Sequence, residues 1–109
     1  MAESLHKLKR DIVTSVMTIK LERDTHVPDL MTRIRILPSV AIVAQKEKVA
    51  RFMDGDAMLE VSIKYLPKTS EIYVGISSLG KMIKKLPGVK TISVNAVNGR
   101  NITLTGAKI

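Results

Sequence analysis

The stretch that decides the fold is LEVSIKYLPKTSEIYVGISSLGKMIKKLPGVKTISVNAV, running from Leu59 to Val97. Leu59, Val61, Ile63 and Tyr65 alternate with Glu60, Ser62 and Lys64, the period of two that marks a strand with one buried face. The period then changes. Ile72, Ile76, Leu79, Ile83 and Leu86 recur at steps of four and three, which puts them on one stripe of a helix. Thr69 or Ser70 is expected to cap this helix, and Pro87-Gly88 to end it. From Val89 to Val97 the period returns to two, with Ile92, Val94 and Ala96 on one face and Thr91, Ser93 and Asn95 on the other. Strand, helix and strand make one β-α-β unit.

The same pattern occurs upstream. Met17, Ile19 and Leu21 alternate with Thr18, Lys20 and Glu22 as a strand. Asp24 or Thr25 is expected to cap a helix that Pro28 opens, and Leu30, Ile34 and Leu37 give that helix one apolar stripe. Pro38 stops it, and Val40 to Val43 starts a strand that continues irregularly through Phe52. Asp54-Gly55-Asp56 then reads as a tight turn. Leu37-Pro38-Ser39-Val40 leaves the first helix just as Leu86-Pro87-Gly88-Val89 leaves the second, so the chain contains an internal repeat. Two such units in series resemble, over residues 16–97, the split β-α-β or ferredoxin-like sandwich: an α+β fold with both helices on one face of an antiparallel sheet in the order 4-1-3-2. Leu5, Leu8, Ile12 and Val13 add a helix over residues 1–14. Asn98-Gly99 is a two-residue hairpin turn that folds Ile102 and Leu104 back as an added edge strand over residues 98–109. The expectation is one domain, 1–109, with a single core of Met17, Ile19, Leu21, Leu30, Ile34, Leu37, Leu59, Val61, Ile63, Ile76, Leu79, Ile83, Ile92 and Val94.

Composition excludes several classes. The chain has no cysteine, so disulfides, thiolate metal sites, iron–sulfur clusters and the metal-chaperone relatives of this fold are ruled out. Apolar residues make up 45% and charged residues 26%, which is globular rather than disordered composition. Apolar runs are too short for a membrane span, and Met1 to Asp11 is too polar for a secretory signal, so the expected location is cytoplasmic, or a virion. Lysine and arginine number 18 against 10 acids, a net charge of +8. Residues 1–71 carry +2 and residues 72–109 carry +6, with no acid after Glu71. That field attracts phosphates or acidic protein surfaces, and it also serves solubility.

No catalytic constellation emerges. His6 and His26 are twenty positions apart; His26, between Asp24 and Asp29, suits a helix start better than a base or metal ligand. Asp54 and Asp56 lack the twelve-residue calcium loop and read as turn residues. Ser77-Ser78 has no base nearby, and Gly75, Gly80 and Lys81 lack the spacing of a phosphate loop. The outward positions of the central strands are Thr18, Lys20, Glu60, Ser62 and Lys64. They offer no aromatic platform for stacking bases, so an RNA-recognition motif is excluded. Val16 to Val43, with Asp24, Pro28 and Leu30, is similar to the amino-acid-binding ACT-type regulatory module. Asp29 stands where that family has a glycine. The run from Leu86-Pro87-Gly88-Val89 into Ile92-Ser93-Val94 resembles small proteins encoded near the virion-assembly genes of tailed phages.

The reading that follows is a non-enzymatic association module without cofactor or metal, whose partner is a second protein or itself. It would act through two sheet edges, together with a flat polar sheet face and a basic C-terminal surface. One edge is that of the hairpin from Val40 to Tyr65, guarded by Lys46, Lys48 and Arg51. The other is that of the final strand, weakly protected by Arg100 and Lys108 and expected to receive a strand of a second subunit or partner. The residues expected to carry binding are Lys81, Lys84, Lys85, Lys90 and Arg100, with Thr103 and Thr105 on the final edge. Nucleic acid gripped by its phosphates and a small regulatory ligand are the alternative partners; no membrane partner is expected.

Overall fold

Val13–Leu21 forms strand β1, whose nine residues alternate between buried and half-buried without interruption. In the computed structural model, which describes residues 12–45, 50–51, 55–68 and 71–104, this strand is the centre of the sheet. The remaining strands are β2 (Val40–Gln45), β3 (Ala50–Arg51), β4 (Ala57–Tyr65), β5 (Val89–Val97) and β6 (Arg100–Leu104). Helices α1 (Val27–Arg35) and α2 (Ile72–Lys84) follow β1 and β4. All strand pairs are antiparallel, in the order β2-β4-β1-β5-β6, with β3 also on β4. The fold is α+β.

Periodicity explains this arrangement. β1 and β4 pair along their full length, from Val13 opposite Tyr65 to Leu21 opposite Ala57. This register puts Met17 against Val61 and Ile19 against Leu59 on one face. Leu30, Met31 and Ile34 of α1 and Ile76, Leu79 and Ile83 of α2 bury into the same cluster, so both helices cover the same side of the sheet. Each such side chain, fully withdrawn from water, contributes about 1.5–3 kcal/mol. All fourteen core positions named from the sequence belong to this cluster, Leu37 at its margin. Ser15 also points inward, opposite Ile63 and Val97, and its buried hydroxyl has no hydrogen-bond partner. Ser15→Ala is therefore expected to leave stability unchanged or raise it by up to about 1 kcal/mol in chemical denaturation, because it removes an unmet polar group.

The repeat has a structural counterpart. Ser39 and Gly88 both adopt left-handed backbone, with φ of 68° and 87°. Leu37 N donates to Ile34 O and Val40 N to Leu37 O; Leu86 N donates to Ile83 O and Val89 N to Leu86 O in the same pattern. The carbonyl of Ser39 accepts from Leu66 N at 2.9 Å, just past β4. That of Gly88 accepts from Glu22 N at 2.8 Å, just past β1. Each half thus locks its helix-to-strand loop onto the end of the strand beside which it docks. The two halves are related as approximate copies.

The structure corrects several expectations. β1 begins at Val13, so Val13 and Thr14 belong to the strand rather than to a helix; β-branched side chains and the full register with β4 favour pairing there. Residues 1–11, the rest of that expected helix, lie outside the described residues. The N-caps are His26 and Glu71, neither with a side-chain cap hydrogen bond, in place of Asp24, Thr25, Thr69 or Ser70. Thr25 instead donates its hydroxyl to Gly88 O. Ile72, assigned to the apolar stripe of α2, is exposed, because it precedes the turn that meets the sheet. Ala96 faces outward. The register with β1 shifts by one between Ala96 and Val94, leaving Asn95 as the extra residue of a β-bulge, and Val97 takes the inward place.

Candidate functional site

Three surfaces remain once the core is assigned: the sheet face away from the helices, the two sheet edges, and the end of α2. The open face is built by the outward residues of β1, β4 and β5. Thr18 lies opposite Glu60 and Ser93, Val16 opposite Ser62 and Ala96, and Lys20 opposite Met58 and Thr91. Thr18, Ser93 and Asn95 are joined by hydrogen bonds: Asn95 Nδ2 donates to Thr18 Oγ1 at 2.6 Å and Ser93 Oγ to Asn95 Oδ1 at 3.3 Å. The expected flat polar face is present. It also carries Val16 and Met58, which the sequence reading assigned to neither face, and Ala96, which simple alternation placed inward before the bulge at Asn95.

At one end of this face the carboxylate of Asp56 is almost buried and receives two lysines. Lys90 Nζ lies 2.7 Å from Asp56 Oδ2, and Lys20 Nζ lies 3.9 Å away. A second register shift, between Lys20 and Leu21 on β1, leaves Lys90 as the bulged residue of β5 and turns it toward Asp56. Asp56 is thus an ion-pair partner rather than a solvated turn residue; Asp54 lies outside the described residues. Lys90 correspondingly leaves the expected basic cluster, since its charge is compensated locally. Asp56→Ala is expected to destabilise the fold by about 1–2 kcal/mol. That lies between exposed and buried pairs because both ammonium groups stay half-exposed. A shift in the denaturation midpoint measures it.

Lys81 and Lys84 lie in the last turn of α2 and Lys85 is its C-cap; all three are exposed. Cations there complement the negative end of the helix dipole. Arg100 is exposed at the start of β6, opposite Val97. Thr103 lies in β6, while Thr105, Lys46 and Lys48 lie outside the described residues. α2 packs over β5, and β5 pairs with β6, so the three lysines and the β6 edge belong to the same half of the molecule.

The C-terminal hairpin forms as its turn residues require. Asn98 and Gly99 have φ of 50° and 81°, and Ile102 and Leu104 pack at the margin of the core. Asn98 also ties the turn to β1: its N–H donates to Thr14 O, and its Oδ1 accepts from Thr14 N. Among the described residues β6 pairs with β5 alone. Its register shifts between Asn101 and Leu104, so this edge carries a bulge as well as Arg100, two devices that discourage pairing. The bulge is a protection that the charges alone do not show, and Lys108 lies outside the described residues. The opposite edge, β2, opens the hairpin from Val40 to Tyr65 whose backbone the sequence offers as an edge; of its expected guards, Arg51 lies in β3.

Two depressions flank the repeated loops. One, of about 310 Å³, lies beside Pro87 and Gly88 and is lined by Glu22, Asp24, His26 and Arg33 among others. The other, of about 300 Å³, lies beside Pro38 and Ser39 and is lined by Tyr65, Val74 and Met82. They occupy equivalent places in the two halves, the first charged and the second apolar. His26 Nδ1 and the Asp29 carboxylate are 3.2 Å apart at the mouth of the first, both exposed, as suits a helix start. Burial raises the Tyr65 phenol above its ordinary value of 10.0. No group of three or more metal-ligating side chains occurs among the described residues, and no described helix is long and apolar enough to cross a membrane.

No family model matches the chain, and no curated protein matches it in sequence.

Proposed function

We propose that this chain is a non-catalytic protein-association module of the ferredoxin-like, split β-α-β topology, acting through its sheet edges and the basic end of α2. The topology reading is supported by the strand order and by the matched loops at Ser39 and Gly88. The association reading rests chiefly on one observation: the sheet ends in two strands, β2 and β6, each paired on one side only among the described residues. Half of the backbone hydrogen-bonding capacity of such strands is open to another chain. A structural role in a virion is the specific form of this proposal suggested by the resemblance of Leu86–Val94. Light scattering on the purified full chain tests the association reading. Masses above the monomer without added ligand are expected, and a monomer at every concentration contradicts it.

One observation favours a second reading, a grip on nucleic-acid phosphates without base recognition. Lys81, Lys84 and Lys85 stand together, exposed, on a chain of net charge +8. Replacing all three with glutamine is expected to leave the fold intact at a cost of about 1 kcal/mol, the loss of charges that complement the helix dipole. If phosphates are bound, the same change lowers the salt slope of binding by up to about 2.7, about 0.9 for each phosphate no longer neutralised. A titration of duplex DNA at several salt concentrations reads this directly. An unchanged slope reduces the lysines to a solubility feature.

A further inference from the structure

β2, Val40–Gln45, is the only described strand without a charged residue; β1, β3, β4, β5 and β6 carry Lys20, Arg51, Glu60 and Lys64, Lys90, and Arg100 respectively. It is also a terminal strand of the sheet, paired among the described residues with β4 alone. Past a bulge at Ala41, Ile42 to Gln45 run in regular register against Lys64 to Val61. Val43 is buried under the helices, while Ile42 is 54% exposed and Ala44 is exposed on the other face. Apart from the bulge at Ala41, this β-branched edge with an exposed isoleucine carries, along Val40–Gln45, none of the charged residues that usually guard an edge.

The internal repeat indicates what kind of element fits it. β2 and β5 are equivalent strands, each entered through a Leu-Pro loop with a left-handed third residue. The outer edge of β5 is occupied by the antiparallel strand β6, delivered by the Asn98-Gly99 turn. The outer edge of β2 receives no corresponding strand among the described residues. An antiparallel strand is thus the occupant that completes the first half as β6 completes the second.

Charge indicates whose strand it is. Two copies of a chain carrying +8 repel, and the β6 edge would bring Arg100 toward the partner. At β2 two copies can approach to the roughly 4.8 Å of paired strands without opposing like charges along Val40–Gln45. We propose that β2 pairs antiparallel with β2 of a second copy about a two-fold axis, joining the two sheets into one and covering Ile42 with its own counterpart. This rests on the association reading above and names the edge and the partner. The contact is small, so the dimer belongs to the weak class below about 1,200 Å² of buried surface.

Sedimentation equilibrium of the full chain over roughly 1 μM to 1 mM, the span of weak dissociation constants, tests the proposal. The wild type is expected to pass from monomer to dimer and stop there. Ile42→Lys and Ile42→Glu each place like charges across the axis and are expected to weaken the dimer at least about tenfold. An equimolar mixture of the two variants is expected to dimerise again, a result that loss of folding cannot produce. A wild type that stays monomeric overturns both this inference and the association reading. Wild-type association that persists in both Ile42 variants but is lost in Thr103→Pro overturns the β2 interface alone. Growth beyond the dimer, as head-to-tail pairing of β2 with β6 would give, overturns the two-fold arrangement.

Discussion

Gly88→Ala is expected to cost about 3–5 kcal/mol of stability, combining left-handed backbone strain with an overpacked contact. At φ 87° a β-carbon on residue 88 would lie 2.3 Å from Thr25 Oγ1 and 2.8 Å from Thr25 Cγ2. Thr25 cannot simply turn away, because its hydroxyl donates to Gly88 O at 3.2 Å. The same carbonyl accepts from Glu22 N, so shifting the loop also loosens the end of β1. Gly99→Ala provides the control. It shares the left-handed backbone, with φ 81°, but meets nothing within 4 Å, so only strain of about 1–2 kcal/mol is expected. Ser39→Gly, at the equivalent loop of the first half, is expected to gain a fraction of that amount by relieving φ 68°. Urea denaturation of the three variants gives the comparison. A Gly88 variant no worse than the Gly99 variant would mean that the α2–β5 loop does not press on Thr25.

The second large effect is in the core. Ile63→Ala and Ile83→Ala are each expected to cost about 2–5 kcal/mol, the range for removing a buried isoleucine without collapse of the space. Both residues are fully buried, one on the central strand β4 and the other on α2, in the same cluster. They lie on opposite layers of that cluster, so the double variant also reports whether the layers act together: an excess or deficit beyond about 0.5 kcal/mol over the sum signals coupling. Losses below about 0.5 kcal/mol at both sites would contradict the inward phase of these elements.

The inward phase was the most legible feature of the sequence, because burial on one face imposes its period directly on residue type. Met17 to Leu21 and Leu59 to Tyr65 show it without interruption. The period is blind to an inserted residue, however. Asn95 carries no mark of the bulge it forms, and so Ala96 and Val97 exchange faces relative to simple alternation. The repeat at Leu37 and Leu86 was legible, and it implied equivalent loops. That Ser39 would share the left-handed backbone of Gly88 was not, because serine rarely adopts it.

The candidate surfaces divide along a similar line. Lys81, Lys84 and Lys85 could be placed from the helical period alone. Lys90 could not. Its partnership with Asp56 depends on register shifts that bring β5 beside the start of β4 across β1. Thr25 has the look of a cap because a hydroxyl before a helix usually is one. Here the loop after α2 uses that hydroxyl instead. The β2 edge is legible only through the expected strand order, which puts the second strand at the end of the sheet, because no single strand announces whether a neighbour will cover it.

The most direct test of the central claim, association through open sheet edges, is the solution mass of the full chain at about 0.05 M and about 0.5 M salt, either side of strong screening. Backbone pairing along the uncharged Val40–Gln45 edge does not depend on ion pairs, and salt weakens the mutual repulsion of chains carrying +8. At a chain concentration of about 1 mM, the top of the weak-binding range, the account therefore expects dimer at both salt concentrations, with equal or greater association at the higher one. A mass that remains that of the monomer at both would contradict it.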